Sequence, residues 1–173
     1  MEDFEAFVRA RSASLAGTAY LLSGDRHLAE DLLQDALSRV ADRWPSIARG
    51  GDPEPYVRRA LYNRAIVMWR RRRWREVPHS DDPRPELRGR ADDAETIARR
   101  LALRDALARL TPRQRAVLAL RFYEDRSEAE AAAVLGCSVN TVKSQTRHAL
   151  ERLRQLAPEL AETFDRSTPV EAP

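Results

Sequence analysis

Residues 127–153 read SEAEAAAVLGCSVNTVKSQTRHALERL. Ser127 caps a short helix whose apolar positions are Ala131, Ala132 and Leu135. Gly136-Cys137 is a tight turn, where glycine can take φ > 0. Ser138 caps a longer helix running to about Gln155. Its Val139, Val142, Thr146, Leu150 and Leu153 recur at spacings of 3, 4, 4 and 3 and predict one buried face. Asn140, Thr141, Ser144, Arg147 and His148 point the other way, with Lys143 on the flank. A short helix, a three-residue turn and a capped second helix make a helix-turn-helix. The outward side chains are short hydrogen-bonding or cationic groups near a helix N-terminus, the part that reaches base edges in a major groove. The plainer alternative is a surface helix of a bundle, since the same geometry occurs in proteins that do not bind DNA.

Upstream, Thr111-Pro112 is a strong helix start, with threonine as cap and proline in the first turn. That helix carries Val117, Leu118 and Leu120 to about Phe122, and another precedes it from about Thr96 to Leu110. The first half repeats the helical period. Helices are predicted from Asp3 to Leu22, from Arg26 to Asp42 and from Pro53–Pro55 to about Arg75. Trp44-Pro45 is expected to close the second, and Arg49–Pro53 to form a loop. No two-residue alternation appears, so the fold class is all-α, with two small helical domains. Between them residues 76–95 lose the period, contain Pro78, Pro83 and Pro85, and set seven acids against three arginines. This composition reads as a flexible acidic linker. The tail, 156–173, is also acidic and Pro-containing and is expected to be partly disordered.

Two further surfaces stand out in the first half. From Tyr56 to Arg75 there are eight arginines and no acid, and Trp69 and Trp74 bracket the run Arg70, Arg71, Arg72, Arg73. Arginines suit phosphates, and aromatic rings stack on unpaired bases. Core packing is the competing role for Trp69, and a solvated face or membrane-surface patch for the charge run. In the preceding helix, Glu30, Asp31, Gln34 and Asp35 leave an acidic stripe beside the Leu32/Ala36 core face. An acidic face next to a basic helix fits two partners, a basic protein surface and a nucleic acid.

Composition removes other classes. Lys+Arg is 30 against 27 Asp+Glu, and Lys143 is the only lysine. The single cysteine, Cys137, excludes an intramolecular disulfide framework and a Cys-based zinc cluster. His27, His79 and His148 have no ligand spacing, so neither a metal nor another cofactor is expected. There is no Ser/His/Asp set, Gly-rich phosphate loop or HExxH, so no catalytic site is expected either. No apolar run reaches about 18 residues, and the acidic start lacks a signal pattern, so a cytoplasmic protein without a membrane partner is expected.

Taken in order, the motifs resemble the extracytoplasmic-function (ECF, group IV) RNA polymerase sigma factors, of the small SigE-like actinobacterial kind. The resemblance covers about residues 4–155. It rests on Ala29–Asp35, on Tyr56-Val57-Arg58-Arg59 through Asn63 to Arg73, on Leu110–Leu118, and on Ser127–Glu130 through Ser144. It implies a non-enzymatic specificity subunit that binds core RNA polymerase, recognises promoter DNA and initiates transcription of a particular regulon. Residues 1–75 would be sigma region two. Its Asp31, Gln34 and Asp35 would dock on the clamp helices of the largest subunit. Pro45–Asp52 and the helix through Asn63 would capture flipped bases of the minus-ten element, with Trp69 and Arg70–Arg73 on adjoining DNA. Residues 96–155 would be region four. There Thr141, Lys143, Ser144, Arg147 and His148 would read the minus-thirty-five element, and the outer surface would bind the flap of the second-largest subunit. The family admits an anti-sigma factor as a further partner. Departures from its pattern are Asn140, where this branch often has Gly, His148 for the usual Arg, Val67 for a frequent Asp, and Arg126 for an apolar residue. The second half alone also resembles the LuxR-type helix-turn-helix, which makes a stand-alone transcriptional regulator the alternative. A peripheral membrane module using the arginine helix is a third, but it leaves the helix-turn-helix unexplained.

Overall fold

The computed structural model describes residues 2–72 and 94–158, and all the regular structure among them is helical. The first half holds α1 (Glu2–Ser23), α2 (Arg26–Ala41), α3 (Trp44–Arg49) and α4 (Glu54–Arg72). Gly24, at φ +74°, ends α1, and the Asp25 side chain accepts from the Leu28 N–H at 2.8 Å to start α2. Trp44-Pro45 opens α3 instead of only closing α2, so the loop expected over Pro45–Asp52 is helical as far as Arg49. The cause is the Trp44 indole, buried against the rings of Phe4 and Phe7 at 5.0 and 5.2 Å. That anchor holds the chain against α1 while Pro45 suits a first helical turn.

The second half holds α5 (Ala94–Ala108), α6 (Pro112–Leu118), a π-helical turn (Ala119–Tyr123), α7 (Glu128–Leu135) and α8 (Val139–Leu156). Helix α5 begins and ends two residues earlier than expected. Capping boxes start α6 (Thr111/Gln114) and α7 (Ser127/Glu130). Gly136 stands at φ +63° in the turn between α7 and α8, where a side chain would be strained. Ser138 caps α8 through the Thr141 N–H at 3.1 Å. The acidic stretch expected to link the domains lies almost wholly outside the described residues, as does the tail beyond residue 158.

Apolar burial does more than build two separate domains. One cluster joins Ala106, Leu110, Leu118, Ala149, Leu150 and Leu153 under α5. A larger one runs from Leu15, Leu32, Val57 and Leu61 of the first half into Val117, Leu120, Ala131 and Val142 of the second. Helix α4 packs on α6 and α7, and α1 on α6 and the π turn. Spacing within single helices carries no signal of this closed packing.

Candidate nucleic-acid and polymerase interfaces

Helix α8 is built as its spacing requires. Val142, Ala149, Leu150 and Leu153 are buried, whereas Asn140, Lys143, Arg147 and His148 are exposed, and Thr141 and Ser144 lie between. Thr146 bonds back to the Val142 carbonyl at 2.9 Å. Lys143 Nζ reaches Glu128 Oε2 at 3.6 Å, fixing the start of α8 against the start of α7. Val139 departs from expectation: it is 38% exposed. Periodicity assigns a residue to a face, but not where along the helix packing stops, and Val139 is the first residue of α8.

On α4, Tyr56, Arg59, Asn63, Val67 and Arg70 are all exposed and recur at spacings of 3, 4, 4 and 3, so they form one outward stripe. Arg59 and Tyr56 were missed as site residues, although the same spacing counted back from Asn63 would have found them. The stripe leads to Arg70 in the last turn of the helix, where a cation also complements its dipole. Arg73 lies outside the described residues.

Trp69 is turned away from this stripe. Its indole N–H donates to the Leu22 carbonyl at 2.9 Å, and the Arg115 guanidinium lies 4.5 Å from the ring centroid. In this arrangement Trp69 is an interdomain packing residue, the competing role weighed for it, and its ring does not face the α4 stripe. The reason is local. Leu22 sits in the last turn of α1, whose carbonyls lack helical partners, and the indole supplies one.

Arg58 is likewise no phosphate ligand here. It is buried, with Nε and NH2 on Glu54 Oε1 at 2.9 and 2.6 Å and NH1 on Glu124. Burial works against its charge, but these two carboxylates outweigh that and raise its pKa. Burial and the Glu124 charge push the Tyr62 phenol up beside them. Arg115 donates to the carbonyls of Leu22 and Ala108 at 2.8 and 3.1 Å, and burial pulls its pKa down to about 10, so it remains cationic at neutral pH.

On α2, Asp31 and Gln34 are exposed, with Glu30 beside them. Asp35 is half-buried and faces α4, where it pairs with Arg64, and Arg39 lies 3.5 Å from the same carboxylate. That corrects its expected exposure: a stripe set by spacing alone turns inward where a neighbouring helix offers a cation.

A helix-turn-helix domain joined to a helical domain with an acidic and a basic face defines a two-part transcription factor. The sigma-70 region 2 family matches residues 7–75, and the sigma-70, region 4 family matches residues 100–153. The chain is 42% identical over 154 residues to the RNA polymerase sigma-E factor of Streptomyces coelicolor, covering 88% of this chain and 85% of that protein. It is 34% identical over 151 residues to the ECF RNA polymerase sigma factor SigL of Mycobacterium tuberculosis, covering 84% and 83%. It is similar to a solved structure, the sigma factor RpoE in complex with the anti-sigma factor NepR from Bartonella quintana. There the TM-score is 0.69, the identity 28%, and the coverage 91% of this chain and 98% of that one. The chain belongs to the ECF RNA polymerase sigma factors, and its role is that of a sigma factor, binding core RNA polymerase and promoter DNA. A stand-alone LuxR-type regulator would leave residues 7–75 without a counterpart, and that segment matches sigma region 2. Among the described residues no helix is long and apolar enough to cross a membrane.

Proposed function

We propose that the exposed face of α8 reads the minus-thirty-five element, that the outward stripe of α4 holds the minus-ten element, and that the exposed stripe of α2 docks on the polymerase clamp. The domains divide as region two over 1–75, a linker over 76–95, region four over 96–155 and an acidic tail over 156–173. The observation that carries the assignment is α8, where Arg147, His148, Lys143 and Asn140 are exposed opposite a continuous buried face. Phosphate contacts from Arg70–Arg73 position the protein, and Ser144, Arg147, His148, Lys143 and Thr141 supply sequence discrimination. Asn63 acts after strand opening, when a flipped base becomes available. Trp69 joins the minus-ten contacts only once Arg115 and Leu22 release it.

The protein works in the cytoplasm, where polymerase and chromosome meet, and carries no chemistry of its own. An anti-sigma factor is a further partner, a reading supported by the kind of complex in which the similar solved sigma factor was found. Run-off transcription with added core polymerase tests the assignment. A transcript that depends on this protein, and that weakens when Asp31→Arg and Gln34→Arg are combined, supports it. Equal retention of core polymerase by that variant contradicts the docking face. Asp35 is left out because its pairing with Arg64 also joins α2 to α4.

A further inference from the structure

The first turn of α8 departs from the pattern of its neighbours. Helix α7 opens with Glu128 and Glu130, acids that complement a helix N-terminus. Helix α6 opens with Pro112, whose fixed φ suits a first turn. Helix α8 opens with Val139 and Asn140 and carries no acid in its first turn. A β-branched valine offers a helix start no capping group, and asparagine favours the cap position, which Ser138 already fills. Val139 joins neither apolar cluster, so burial does not account for it. One exposed valine is ordinary on a protein surface. This one adjoins an amide on the face of α8 assigned to DNA.

The side chains around this pair are already engaged. The Ser138 hydroxyl accepts from the Thr141 N–H at 3.1 Å and lies 2.9 Å from the Thr141 hydroxyl, so the two close on each other. Lys143, one turn beyond Val139 on the same flank, is held by Glu128 at 3.6 Å. The Asn140 amide makes no hydrogen bond among the described residues. Asn140, Ser144 and Arg147 recur at spacings of four and three, so the amide heads the outward stripe. Asn140 and Arg147 stand about 10 Å apart along α8, against about 3.4 Å for one base-pair step, so they meet different base pairs.

The chemistry of the pair is selective. An asparagine amide matches adenine in the major groove, accepting from N6 and donating to N7. An apolar side chain beside it fits the 5-methyl group of thymine. We infer that Val139 and Asn140 determine specificity for A·T pairs at one end of the minus-thirty-five element, with Asn140 on an adenine and Val139 against a thymine methyl. Arg147, suited to guanine O6 and N7, sets the preference farther along. The inference deepens the proposed role of α8 and rests on it.

The test uses holoenzyme assembled from core polymerase and the full chain. Promoter duplexes with a randomised minus-thirty-five block are offered, and the bound fraction is sequenced. Wild type is expected to retain A·T pairs at one end of the block. Asn140→Ala should lower that preference about tenfold while the other positions hold, and Asn140→Gln, which also matches adenine, should restore part of it. An unchanged profile, or an equal loss at every position, overturns the amide contact. The valine is read with a second probe, in which thymines at that end are replaced by deoxyuridine, which lacks the methyl group. Wild type should bind this duplex about fourfold more weakly, the worth of one buried methyl. Val139→Ala should bind both duplexes alike. The wild-type arm needs no variant, and binding indifferent to the missing methyls overturns the valine contact. An equal response by wild type and Val139→Ala does the same. If wild-type holoenzyme selects no minus-thirty-five sequence at all, the role of α8 falls and the inference with it.

Discussion

Helices α4 and α8 are nearly equal in length, and both carry cationic and hydrogen-bonding side chains, yet they are organised differently. On α8 spacing and exposure agree at every position but Val139, so the polar face is the outer face. On α4 the arginines divide among three situations. Arg58 is buried between Glu54 and Glu124, Arg64 is paired with Asp35, and Arg59 and Arg70 face water. A local period orients a helix that packs along one apolar stripe. It cannot orient one whose charged residues meet acids from other elements, because those partners are distant in sequence.

The sharpest way to break this contrast is inside α4. Arg58→Ala leaves the buried Glu124 carboxylate without its cation, while Glu54 keeps Arg11 at 3.0 Å, and should cost about 3–5 kcal/mol of stability. Arg59→Ala, exposed one residue later, should stay within about 0.5 kcal/mol. Urea unfolding of the two variants checks this, and equal losses would mean that Arg58 is not the buried partner. On α8 the matching pair is Leu153→Ala and Arg147→Ala. The first should lose about 2–5 kcal/mol of stability. The second should leave stability alone and weaken binding of holoenzyme to its preferred minus-thirty-five sequence by about 1–3 kcal/mol, with less loss on altered sequences. A uniform loss across sequences would reassign Arg147 to phosphate. Removing the Ser138 cap with alanine should cost about 1 kcal/mol, seen as a lower unfolding midpoint. The finest effect belongs to the end of α4. Arg71→Ala with Arg72→Ala should lower the salt slope of promoter binding by about two, equally for all promoters.

The two helices also show how far the residues alone carry. The seven longer helices, the caps at Thr111, Ser127 and Ser138 and the positive φ at Gly136 follow from nearest-neighbour chemistry and were legible, whereas the short α3 was not. Trp44 was not, because its role depends on Phe4 and Phe7 arriving from another helix. The inward turns of Trp69 and Asp35 depend on Leu22, Arg115 and Arg64, supplied by three other helices. Residues facing solvent along one regular helix could be read from spacing. Those decided by contacts between helices distant in sequence needed the fold.

In the proposed assignment the two DNA-reading surfaces of this chain act together only on polymerase. Two surfaces held by separate domains bind strongly when a scaffold fixes their spacing, and ordering them otherwise costs entropy. The most direct measurement is DNase footprinting, on a promoter the protein transcribes, with free protein and with holoenzyme. Holoenzyme is expected to protect both the minus-thirty-five and minus-ten blocks at concentrations where the free protein protects neither. Sequence-specific protection by the free protein at those concentrations would contradict it and favour a stand-alone regulator.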